Sequence, residues 1–162
     1  MTSAAASTHP AQPAASEPSM LWWQGTLMTL KAHRGSTGGA FGLIEARFPA
    51  NFGPPLHVHH REDEALYVLD GELRCRRGDT EFTAGPGELV FGPRELPHTF
   101  KAGPGGARAL VLMTPAGLEQ MFQEGGVPAL DPTTPPVEDY DVQQLTELAA
   151  KYGFDVIGPP LT

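Results

Sequence analysis

Between Thr26 and Thr114, short β-branched and aromatic runs are cut repeatedly by Gly, Pro, Asn and Asp, and no stretch of helical period intervenes. Strands are predicted at 26–33, 40–48, 56–59, 64–69, 72–76, 80–83, 88–91, 98–100 and 107–113. Short strands in unbroken succession leave no segment for the crossover helices a parallel sheet needs, so the chain must close as an all-β barrel or sandwich. Asp70-Gly71 reads as a tight hairpin and Arg77-Gly78-Asp79 as a looser one.

The flanks read differently. Residues 1–20, dominated by Ala, Ser, Pro and Thr, have too little to bury to offset the entropy of ordering and are expected to be a disordered tail. Trp22 and Trp23 are expected to cover one edge of a barrel spanning 21–114. Residues 115–162 form a C-terminal helical extension. Leu118, Met121 and Phe122 fall at helical spacing before Gly125-Gly126, and Asp141 caps a second helix with the stripe Val142, Leu145, Leu148, Ala149 and Tyr152. That stripe is expected to pack outside the barrel or across the seam of a homodimer.

At 162 residues the chain suits a single domain. A net charge of −8, with no basic run longer than Arg76-Arg77, argues against nucleic acid and anionic membrane as partners. No window approaches the ~18 apolar residues of a spanning helix, and no leader pattern opens the chain. With Cys75 as its one cysteine, nothing calls for an oxidising compartment, and a cytoplasmic location is expected. Cys75 shares strand parity with Leu73 and opposes Arg74 and Arg76, the placement of a buried thiol.

The segment HVHHREDE, residues 57–64, concentrates potential ligands. Side chains two apart on a strand share a face, so His57 and His59 project together, ~6.5–7 Å apart along the backbone, while His60 faces away. Glu64 opens the next strand on the same side as Leu66 and Val68, with Glu62 and Asp63 at the bend as alternatives. In GPGELVFGPRELPH, residues 85–98, a proline-stiffened connection delivers His98 to the start of another strand. Three imidazoles and one carboxylate form an N3O set suited to a first-row divalent ion.

The segment from about Thr26 to Thr114 resembles the cupin superfamily, in particular its small single-domain members similar to quercetin dioxygenases. His57, His59, Glu64 and Gly71 match the first motif, and Gly87, Pro93 and His98 match the second. Asn51 and Glu95 stand where the motifs carry glycine, and Ala102 where the second carries asparagine. The resemblance implies a double-stranded β-helix, or jelly-roll barrel, with helices packed outside. It further implies one divalent transition metal ion (Fe, Ni, Mn, Cu, Co or Zn) held by His57, His59, Glu64 and His98. The activity expected is a dioxygenase-type oxidation of a small phenolic, enol or dicarbonyl substrate with O2. Glu64 would double as catalytic base, and Leu66, Val68, Phe91, Phe100 and Met113 would line the substrate pocket. The alternatives are a metal-dependent isomerase, decarboxylase or lyase acting on a small oxo acid, and a protein that only binds a small molecule.

Overall fold

The computed structural model describes residues 20–136 and 141–162. The expected tail therefore lies outside the described residues up to position 19. The chain order is β1 (Met20–Trp23), β2 (Thr26–Ala32), α1 (Arg34–Thr37), β3 (Gly42–Phe48), β4 (Pro55–His59), β5 (Asp63–Arg77), β6 (Thr80–Ala84), β7 (Leu89–Gly92), β8 (His98–Thr114), α2 (Glu119–Gly125), β9 (Val127–Pro128), α3 (Val142–Lys151) and β10 (Phe154–Pro160).

Two long strands organise everything else. β5 and β8 pair antiparallel from Asp63↔Thr114 to Arg77↔His98, with register shifts around Asp70 and Gly71. At one end this pair extends through β3, β2, β1 and β9 on one side and β7 on the other; at the opposite end it extends through β4 and β10 on one side and β6 on the other. The result is an antiparallel jelly-roll barrel, as the resemblance leads one to expect.

Asp70-Gly71 is not a hairpin. The strand continues through it, so the two expected strands on either side are halves of β5, just as 98–100 and 107–113 are parts of β8. Gly71 adopts φ +73, and a Cβ there would lie 2.3 Å from the Gly106 carbonyl oxygen. The glycine thus serves a bulge that bends the strand around the barrel while its partner stays in contact. The second turn is a hairpin: Arg77 pairs with Thr80 across Gly78-Asp79. Gln24 and Gly25, both at positive φ, close a further two-residue hairpin between β1 and β2.

Strand parity fills the interior. Ile44, Ala46 and Phe48 from β3, Leu66, Val68, Leu73 and Cys75 from β5, and Ala109, Val111 and Met113 from β8 form one buried cluster. Burial pushes the Cys75 thiol up to about 12, so it packs as a small apolar group.

The C-terminal stretch is not purely helical. Asp141 caps α3 by accepting from Gln143 N and Gln144 N, as its position implies, but the closing GFDVIGPP becomes β10 and pairs with β4. Leu145, Leu148 and Tyr152 pack against the barrel core, so the stripe is covered within the chain, except for Val142, which is 75% exposed. Among the described residues no helix is long and apolar enough to cross a membrane.

Candidate metal centre

β4 carries His57 and His59 into the barrel two residues apart, and His57 sits directly opposite His98, the first residue of β8. Glu64 reaches the same point from β5, flanked by Gly92 of β7 and Met113 of β8. One ligand atom from each of His57, His59, Glu64 and His98 lies within 4.8 Å of the others, and all four residues are buried. Glu62 and Asp63 stay out of the cluster. Asp63 takes two hydrogen bonds from the Arg94 guanidinium, at 2.9 and 3.0 Å, and Glu62 is buried beside Gly117. Burial pushes the Glu62 carboxyl up to about 6.

The ring nitrogens are sorted for metal binding. His57 Nδ1 is 2.7 Å from the Pro55 carbonyl oxygen and His98 Nδ1 2.8 Å from that of Leu96, so each donates from Nδ1 and turns a bare Nε2 inward. Both nitrogens of His59, and His98 Nε2, which has only the Glu64 carboxylate 3.4 Å away, are buried without a hydrogen bond among the described residues. Such orphaned atoms cost about 1–3 kcal/mol each, a penalty that a bound cation removes. The residues fit a divalent transition metal and could hold one.

Electrostatics agree with the geometry. Burial, then the neighbouring imidazoles, lower His57 to about 3, and burial likewise lowers His59, so both are neutral lone-pair donors at physiological pH. Burial disfavours charge on Glu64 and His98 too. For Glu64 the contact with His98 Nε2 at 3.4 Å together with the charges of His59 and His57 outweighs it, holding the carboxyl down at about 2; for His98 the same contact together with the Leu96 carbonyl raises the imidazole.

The cluster is set in the wall of a cavity of about 290 Å³. Its sides are apolar, with Phe48, Phe52 and Phe100 forming a connected aromatic group whose centroids lie 4.8 to 6.5 Å apart. Of the residues expected to line it, Leu66 and Phe100 do. Val68 and Met113 are fully buried in the core behind it, and Phe91 points outward at 44% exposure, because parity on β7 turns Val90 and Gly92 inward instead.

Sequence reasoning missed Phe154. Its ring stacks on His57 at 4.3 Å and 16° and meets His59 edge-on at 5.0 Å. The period-two alternation of Phe154 and Val156, both on the cavity wall, against Asp155 and Ile157 was the available signal. Leu145, Thr146 and Ala149 of α3, with Trp23, Met121 and Phe122, also line the cavity.

Known proteins share the fold around this site. Residues 45–114 match the family described as Cupin domain. A polyketide cyclase, RemF from Streptomyces resistomycificus, is 30% identical over 62% of this chain and 70% of its own, with a TM-score of 0.50. An RmlC-like cupin from Shewanella frigidimarina (16% identity, 64% of this chain and 89% of that one, TM-score 0.56) and KdgF from Halomonas sp. (18%, 62% and 89%, 0.55) share the fold. No curated protein is similar enough to count as a match. Residues 45–114 of this chain are thus a cupin domain, set in the fold that these solved structures share.

Proposed function

We propose that this cupin is a metal-dependent enzyme that removes a proton from a neutral phenol or enolisable dicarbonyl compound and directs the resulting anion within an apolar cavity. One observation carries the reading: His57, His59 and Glu64 of the four-ligand cluster open onto a cavity whose other walls are almost wholly apolar, with no Lys or Arg among the described lining residues. Away from the ion itself a charged group on the substrate would meet no counter-charge there, which favours a ligand that is neutral beyond the atoms it presents to the metal.

A divalent ion held by His57, His59, Glu64 and His98 would supply Lewis acidity, stabilising negative charge on a substrate oxygen. The chain does the rest. Its aromatic walls accept a planar ring system and keep water from the anion. Glu64 is the residue that takes the substrate proton. The likeness to a polyketide cyclase favours ring closure of a poly-carbonyl substrate, a reaction that needs no oxygen. A dioxygenase is the second reading, supported by the same apolar walls, which dissolve O2 better than water does.

The test is turnover of phenols, β-dicarbonyls and small oxo acids by the metal-loaded protein, with and without oxygen. Consumption of a dicarbonyl under nitrogen supports the first reading, and consumption that requires oxygen uptake supports the second. Turnover of oxo acids alone overturns both, and full metal occupancy with no turnover leaves a binding protein.

A further inference from the structure

The sides of the cavity come from barrel strands locked into ladders, but its roof comes from α3 and the strand after it. α3 is fixed near its C-terminal end: Lys151 Nζ lies 2.7 Å from both Glu124 oxygens, and the Tyr152 hydroxyl donates to Glu124 Oε2 at 2.6 Å. Leu148 packs where Gly125 leaves no room for a Cβ. The N-terminal half of the helix carries Val142, Leu145 and Thr146 to the cavity and, among the described residues, makes no hydrogen bond outside itself. Ala149 is the one fully buried residue of the helix and the smallest side chain on the cavity wall.

From this we infer that α3 sets the size limit of the ligand: Ala149 and Leu145 are specificity-determining residues, and the cavity takes a neutral, planar molecule of two to three rings. The inference rests on the cavity being the substrate site. Ala149 lies on the cavity wall and on a helix, so a larger side chain there takes up cavity space without touching a sheet hydrogen bond. At about 290 Å³ the space lies at the low end for small-molecule pockets, so one added ring decides between fit and exclusion. Away from the metal-binding residues the described lining offers no Lys or Arg, so a carboxylate carried at the far end of the ligand is excluded as well.

Fluorescence titration of the full-length protein with 3-hydroxyflavone, 2-naphthol and 6-hydroxy-2-naphthoate reads size and charge separately. The expected result is that the naphthoate binds about tenfold or more weakly than 2-naphthol. Ala149→Phe should weaken 3-hydroxyflavone about tenfold or more while holding 2-naphthol within about threefold, and Leu145→Ala should shift preference toward the larger probe. If Ala149→Phe does not fold, as judged by circular dichroism, Leu145→Ala carries the test alone. Equal losses for both probes, an unchanged size preference in the folded variants, or naphthoate binding as tight as 2-naphthol overturns the inference. Probe binding needs no turnover, so size preference that responds to α3 while the substrate panel stays inert would sink the proposed chemistry and leave this inference standing.

Discussion

Gly92 illustrates how single residues serve the centre. A Cβ at that position would lie 3.0–3.1 Å from three atoms of the His98 ring, so any side chain there pushes the imidazole a few tenths of an ångström from its place against β7. Gly92→Ala is expected to displace His98 and weaken metal binding about 10–100-fold with the far-ultraviolet circular dichroism unchanged; titration with Ni²⁺ monitored by calorimetry checks it. Glu64 has two separable roles. Glu64→Gln keeps the shape and three imidazoles but removes the base, so turnover on any substrate the wild type accepts should fall about 100-fold or more, read as initial rate at matched metal content. Unchanged turnover would eliminate the base role. Asn51 and Glu95, the residues replacing motif glycines, both adopt left-handed backbone, with φ +59 and +63. The turns are kept despite the substitutions, at a cost of roughly 1–2 kcal/mol for a side chain such as Glu95. Glu95 N still donates to the His59 carbonyl at 2.8 Å, tying that turn to the ligand strand.

At the scale of elements, β10 is the piece on which the centre leans. It pairs with β4, the strand bearing His57 and His59, and lays Phe154 on both rings. An exposed clasp reinforces this docking: His60 lies between Asp155 of β10 and Glu95, with each ring nitrogen 3.0 Å from a carboxylate. Those two carboxylates, Asp155 first, raise the His60 pKa above its usual 6.5. The folded-state pKa exceeds the unfolded one, so the clasp stabilises fully below pH 6.5 and is lost as pH rises through the raised value. His60→Gln should therefore lower Tm in mildly acidic buffer and leave it nearly unchanged at alkaline pH; thermal melts across pH 5.5–9 check the converging curves. A difference that widens with pH would contradict the assignment.

For the whole molecule, the four ligands arrive from β4, β5 and β8, so an ion bound among them ties distant parts of the chain together. Binding to the folded state alone at about 1,000 times Kd adds about 4 kcal/mol, which for a domain of this size is roughly 8–16 °C in Tm. Metal-loaded protein should lose that increment on treatment with EDTA and recover it on re-addition, with Tm rising with free metal concentration. The buried Cys75 and the Asp141 cap were legible in the sequence because strand parity and local capping act over a few residues, whereas the jelly-roll class and the full ligand set came with the resemblance that the motifs carry. The bend at Gly71 was read as a reversal, since the same dipeptide turns a chain or bulges it according to whether a partner such as β8 continues alongside. Tertiary structure alone decided that α3 and β10 close the cavity and that Phe154 seats the imidazoles. Those contacts join residues far apart in the chain, and which apolar stripe covers which opening is settled only when the whole surface competes for burial.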